Sequence, residues 1–345
     1  MNRQELEALV RGGEMISRVD LAGVDLTGAS LGGGIFEEVS LRGARLAGAT
    51  LRESMFTQCD LAGADLAGAD LEDATLSECD LSEAKLTDAR LTATKFDRAK
   101  LARADLSRAS LVTTVLSSTD LTGVRLAGAT LDGALFSEVK ADGLDLSGVT
   151  VTKTVFFKVD LTTASFAGGR YFKGIFHECA LAGVSLAGLE LTLSQFNGCD
   201  LTNADLEGAT LTRCNFAQAD MSLASLKRAH APGAIFLRAQ LRRATLRGAS
   251  LSRSIFVDAD LRRANLTGVD LTEAVLQRAK CAGARFDEAR MTFADLSHAD
   301  LADARFTGAT MTRARLHGAS RDSAVDVASD ALGDDPELAA AERQR

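Results

Sequence analysis

From Ile16 to Leu316 a large apolar residue returns at every fifth position. Of the 61 positions in that series, 58 hold Leu, Phe, Ile, Val, Met or Tyr, and the exceptions, Ala141, Ala231 and Cys281, are small. Two residues before each sits a second inward candidate, as at Ala64, Ala69, Ala74 and Cys79. The phase never shifts. Neither regular element explains the period, since an amphipathic helix repeats at about 3.6 residues and a half-buried strand at 2. A chain that turns a corner every five residues does. The large residue and the small one before it then point inward, and the other three face water or form the corner.

Four such sides make a square coil of 20 residues. The aromatic positions support the square independently. Phe36, Phe56, Phe96, Phe136, Phe156, Phe176, Phe196, Phe216, Phe236 and Phe256 all share one phase of a 20-residue count, which stacks them on one wall. About 15 coils at the inter-strand spacing of about 4.8 Å predict a rod roughly 70 Å long, its backbone groups paired between coils as burial demands. An unbroken phase reads as one solenoid rather than two domains.

Runs such as Ala64-Asp65-Leu66-Ala67-Gly68, Ala69-Asp70-Leu71-Glu72-Asp73 and Ala204-Asp205-Leu206-Glu207-Gly208 resemble the A(D/N)LXX unit of the pentapeptide repeat family. The resemblance covers residues 16–320 and implies an all-β solenoid, a right-handed quadrilateral parallel β-helix. It also implies two alternative roles: binding of DNA gyrase, which some members protect by resembling B-form DNA, and an accessory part in a bacterial type VI secretion system. The latter likeness rests on Glu5-Leu6-Glu7-Ala8-Leu9 and Gly12-Gly13-Glu14.

The ends depart from the repeat. Residues 1–15 predict a capping helix over 2–11, with Leu6, Leu9 and Val10 apolar at helical spacing and Gly12-Gly13 as the stop. Such a cap covers the unpaired edge that a β-helix leaves at its end. Residues 321–345 predict a polar cap or tail that uses Val325, Val327 and Leu332 and frays beyond them. Within the repeat, Pro232 predicts a bulge or bend by removing a donor, and Ala141 and Val151 predict an underfilled stretch. Glycines are expected at corners, where φ > 0 costs them little. No leader or membrane-spanning run is evident, so a cytoplasmic protein is expected.

Chemistry is sparse. His177, His230, His298 and His317 lie far apart in the pattern, no phosphate-binding glycine loop occurs, and a filled coil leaves no interior pocket. Catalytic residues, cofactor, metal and small-molecule substrate are therefore not expected. Cys59 and Cys79 stack on successive coils, as do Cys179 and Cys199. Cα separation alone would permit disulfides there, but reduced buried thiols are expected.

What remains is surface. Ile35, Met55, Val115, Leu135, Val155, Ile175, Ile235, Ile255 and Val275 precede central residues of the Phe wall, and Phe157, Leu237 and Val257 follow them. Together they predict an apolar ridge, either an interface, most simply of a homodimer, or the β-branched preference of a straight strand. The stretch Glu53–Asp88 holds ten acids and one base, whereas Lys227–Arg315 holds sixteen bases and nine acids. Many Asp precede the central Leu, where a short carboxylate can bond to corner backbone. The sharper expectation is that Asp60, Asp65, Asp70, Glu72, Asp73, Glu78, Asp80 and Glu83 mimic DNA phosphate toward a topoisomerase. Residues Arg242, Arg243, Arg247, Arg262 and Arg263 read as a solvated face, with no direct nucleic-acid or membrane binding expected.

Overall fold

The computed structural model describes residues 1–328 and 330–342. It forms two compact units, Met1–Ile175 and Phe176–Arg345, each a parallel β-solenoid of 20-residue coils. The repeat Ala64–Gly68 shows how five residues turn a corner and keep every N–H bonded. Ala64 N–H closes a turn on the Leu61 carbonyl (3.0 Å). Asp65 N–H bonds back one coil to Ala44 (2.9 Å), while Leu66 and Gly68 N–H bond forward to Lys85 and Thr87 (2.7 and 2.9 Å). The N–H of Ala67 is left over, and the Asp65 carboxylate accepts it at 3.2 Å. The same aspartate bond recurs at Asp60, Asp70, Asp80, Asp105 and Asp200, as expected from the sequence. Asp serves the backbone first.

In the first unit one wall carries eight strands of a parallel sheet. They are β1 (Met15–Ser17), β2 (Ile35–Glu37), β3 (Met55–Thr57), β4 (Thr75–Ser77), β5 (Lys95–Asp97), β6 (Val115–Ser117), β8 (Leu135–Ser137) and β10 (Val155–Phe157). A second wall carries three strands, β7 (Thr130–Asp132), β9 (Thr150–Thr152) and β11 (Arg170–Phe172). Strands proper thus mark about eight turns, fewer than the 15 coils expected. The remaining coils are joined by isolated bridges of the same step, as in Gln195↔Asn215 and Asn215↔Ile235 of the second unit. A coil side is too short to count as a strand, yet it pairs like one.

The core is the predicted one. Phe36 and Phe56 stack at 4.6 Å in the first unit. In the second, Phe176, Phe196, Phe216, Phe236 and Phe256 stack at 4.6–5.2 Å. Coil spacing dictates that distance, and it falls within the favourable range for aromatic pairs. Buried hydroxyls in the small inward column bond to carbonyls, Thr94 to Leu71 (2.8 Å) and Thr114 to Leu91 (2.6 Å).

One expectation needs correcting. The ladder runs through Pro232: His230 and Gly233 N–H keep bonds of 2.9 and 2.8 Å to Ala209 and Ser252. Pro232 takes the Ala67-like position, whose N–H the ladder does not use, so no donor is lost. Around Ala141 and Val151, Leu144 and Val149 occupy the small positions and Tyr171 pairs beside Val151. Gly169 makes room for that ring, since a Cβ there would lie 2.7 Å from it. Glycines take corners as expected, Gly63 and Gly68 at φ of 66° and 64°, and Arg243, Glu83 and Asp73 take others at φ of 56°, 62° and 60°.

The caps close the edges by polar means. In α1 (Arg3–Arg11) the Asn2 side chain accepts the Glu5 N–H (3.0 Å), and Glu5 accepts the Asn2 N–H (2.9 Å). Leu6 and Val10 are buried, and Leu9 is only half-buried. Arg3 donates to the Thr27 and Gly28 carbonyls at 2.7 Å each, and Glu7 accepts the Ser30 N–H at 3.0 Å. The opening residues are thus occupied by capping. At the other end Val325 and Leu332 extend the ladder by backbone, to Phe306 and Leu316, while their side chains stay 44% and 51% exposed. They seal a rung rather than cover a core. Helix α2 (Pro336–Glu342) follows, with Asp335 accepting the Glu337 N–H at 3.0 Å. Fraying was the expectation beyond Leu332; residues 336–342 form this helix instead, and residues 343–345 lie outside the described residues. No described helix is long and apolar enough to cross a membrane.

Candidate interaction surfaces

Inward positions are filled by the coils' own side chains, so sites have to be sought on the outside. The predicted apolar ridge separates into parts. In the first unit the outward column runs Met15, Ile35, Met55, Thr75, Lys95, Val115, Leu135, Val155 in strict register. Met15, Ile35 and Met55 are 57%, 40% and 50% exposed. After a polar break at Thr75 and Lys95, Val115, Leu135, Val155, Phe157 and Ile175 are only half-buried. Phe157 is further covered by the Lys158 ammonium, 5.0 Å from the ring centre. In the second unit Ile235, Ile255, Val257 and Val275 are half-buried, and Leu237 lies at the margin of exposure.

The sequence reading missed Met15, Phe172, Leu223 and Phe293, all exposed. Met15 was assigned to the cap segment, although it stands one residue before Ile16 as Ile35 stands before Phe36. The other three occupy corners, where a large apolar residue against the repeat was the available signal. Lys173 sits 5.0 Å from the Phe172 ring centre and Arg313 5.8 Å from that of Phe293.

The acidic stretch is laced by arginines from adjacent coils. Arg52 donates to Glu72 at 2.5 Å and to Asp70 at 3.4 Å, and Arg90 pairs with the same Glu72. Arg98 meets Glu78 at 3.0 Å, Arg103 meets Glu83 at 2.5 Å, and Arg42 meets Asp60 at 3.4 Å. Asp65 and Asp80 accept corner N–H groups. Neighbouring coils bring opposite charges into register 18 or 20 residues apart, a relation invisible in a linear count.

All six cysteines are free and buried. Cys59 Sγ faces the Phe36 carbonyl at 3.5 Å and Cys214 Sγ the Leu191 carbonyl at 2.8 Å. Burial pushes the Cys214 thiol up to about 12, and hydrogen bonding with the stacked Cys59 and Cys179, followed by burial, raises Cys79 and Cys199.

One cluster near the C-terminus has metal-ligand composition: His298, His317 and Glu342. Their geometry is that of a hydrogen-bonded latch. His317 Nδ1 accepts the Asp335 N–H at 3.1 Å, which places the ring proton on Nε2, 3.3 Å from Glu342. The atom that would have to bind an ion is the one donating. Glu342 also lies 3.1 Å from His298 Nε2, so the cluster ties α2 to the last coils.

A family model for pentapeptide repeats (8 copies) matches residues 20–156 and 175–320. The chain belongs to the pentapeptide repeat family. Among solved structures it is similar to a trypsin-treated form of QnrB1, a plasmid-mediated fluoroquinolone resistance protein, at 18% identity over 63% of this chain and 95% of that one, with a TM-score of 0.41. It is similar to HetL from the cyanobacterium Nostoc sp., a pentapeptide repeat protein involved in heterocyst differentiation regulation, at 24% identity over 92% and 97%, TM-score 0.21. A pentapeptide repeat protein of the Arabidopsis thaliana thylakoid lumen is 29% identical over 39% of this chain and 72% of that one, TM-score 0.17. No curated protein matches the chain.

Proposed function

We propose that this pentapeptide repeat protein is a non-catalytic scaffold that binds protein through the outer face of its Phe wall, in the first place a second copy of itself. Met15, Ile35 and Met55 carry this reading. They occupy three successive rungs and are 57%, 40% and 50% exposed, where the next two rungs carry Thr75 and Lys95. Contiguous apolar side chains on a solvated face mark an interface, and a self-complementary patch closes as a two-fold dimer. The half-buried Val115, Val155, Ile175 and Val275 fit strand preference equally well and add less. Topoisomerase binding through the acidic coils has less support, since Asp60, Asp70, Glu72, Glu78 and Glu83 already hold arginines.

The test is absolute mass in solution, by light scattering, for the wild type and for Ile35→Asp with Met55→Asp. A wild-type dimer and a folded monomeric variant are expected. A monomeric wild type, or a variant that stays dimeric, ends the self-association reading.

A further inference from the structure

From Met221 to Val257 the chain has seven Lys or Arg and no Asp or Glu. Coiling gathers most of these cations around one wall of the second unit. The outward column of that wall is Ser225, Thr245 and Asn265, bridged in register and small and polar. The corner before it carries Arg242, Arg243, Arg262 and Arg263, which line a groove of about 380 Å³ with Asp303 as its one carboxylate. The corner after it carries Lys227, Arg228 and Arg247, lining a second groove of about 370 Å³.

Ion pairing separates this wall from the acidic coils of the first unit. Asp260 holds Arg242 and Arg262, and Glu207 holds Arg228. No carboxylate lies within ion-pair distance of Lys227, Arg243, Arg247 or Arg263 among the described residues. Four cations of this face are thus left without a carboxylate and stand in two rows. The rows follow the coil axis at steps of about 4.8 Å, and Arg243 and Arg247, four residues apart on one coil, are separated by at most about 13 Å of extended chain.

We propose that this wall binds the phosphate backbone of double-stranded nucleic acid without reading sequence. Duplex grooves are about 6 and 12 Å wide, so two cation rows no more than about 13 Å apart can each reach a phosphate strand. Thr245 and Asn265 between them are suited to phosphate oxygens, while the Ser225 hydroxyl oxygen is buried. The wall carries no aromatic side chain at its outward or corner positions, so the stacking that holds single strands is missing. A membrane surface is disfavoured because Leu223 is the single large apolar side chain exposed along these corners. The acidic coils of a second copy are poorer partners, since their carboxylates already hold arginines. Because the whole chain carries −8, contact is confined to this wall and weakens steeply with salt.

Fluorescence anisotropy with a labelled mixed-sequence duplex of about 20 base pairs tests this. Four phosphate contacts predict a log–log salt slope of about −3.6 and a loss on the order of a hundredfold between 50 and 200 mM salt. Joint replacement Lys227→Ser, Arg243→Ser, Arg247→Ser and Arg263→Ser should abolish most binding and flatten the slope, with the melting temperature unchanged. Arg253→Ser with Arg278→Ser, which removes cations paired to Glu273 and Asp258, should leave affinity within about threefold. No duplex binding at 50 mM salt overturns the proposal. So does equal loss in both variants, tighter binding of a single strand, or preferential capture by anionic phosphatidylserine vesicles or by the acidic coils of a second copy.

Discussion

The carboxylate of Glu7 accepts the backbone N–H of Ser30 at 3.0 Å. One coil further on, the N–H of Thr50 is taken by the carbonyl of Ala29 at 2.9 Å. A helical side chain therefore stands where a preceding coil would be, and the first rung is not left as an open edge. Bonds from Arg3 and Ser30 hold the Glu7 carboxyl below its usual range. A depressed pKa means that this contact supports the fold above the unfolded value of about 4.3 and is lost as pH falls through the lower, folded value. Glu7→Ala should speed hydrogen exchange at Ser30 while leaving Thr210 unchanged. Equal protection at Ser30 in both proteins would remove the capping role.

Two glycines should respond in opposite degree to alanine. A Cβ at Gly34 would lie 2.6 Å from the Phe36 ring, whereas at Gly68 nothing lies within 4 Å. Gly34→Ala should cost about 1–3 kcal/mol through overpacking. Gly68→Ala pays only the left-handed backbone at φ 64°, about 1 kcal/mol. Thermal unfolding of the pair decides, and an equal cost would sink the argument from ring clearance.

Asp260 links stability to the basic wall. Burial alone would push its carboxyl up; hydrogen bonds from Arg262 and Arg242 outweigh that and hold it at about 2. Its contribution is complete above an unfolded value of about 3.9 and disappears as pH drops toward 2. Asp260→Asn should destabilise by about 1–2 kcal/mol at pH 7 and much less at pH 2. It should also release two cations and tighten duplex binding. Denaturant melts at both pH values are the check; the same loss at pH 2 would show that packing rather than charge is at work.

The thiols supply a fourth prediction. Burial pushes Cys214 up to about 12, and every cysteine is enclosed. A thiol reagent at pH 8 should label none of the six in the folded protein and all six in denaturant. Rapid labelling of the native form would contradict the enclosed core.

Much of this could be read in advance because a five-residue period admits one backbone solution. Inward Leu66 and Ala64, the Phe wall and the role of Asp65 as acceptor for its own corner were all legible. The expectation at Pro232 fails because the ladder gives that position no donor duty, which residue type alone does not reveal.

The spacing of apolar residues by itself determined the coil, because burying Leu or Phe at every fifth position requires a corner between successive repeats. What only the tertiary structure decided is which charges survive. Arg52 neutralises Glu72 across one coil and Arg103 neutralises Glu83, whereas among the described residues Lys227, Arg243, Arg247 and Arg263 have no carboxylate within ion-pair distance. Ion pairing acts over a few ångströms between residues about 20 apart in the chain, a distance set by coil stacking and absent from any local pattern.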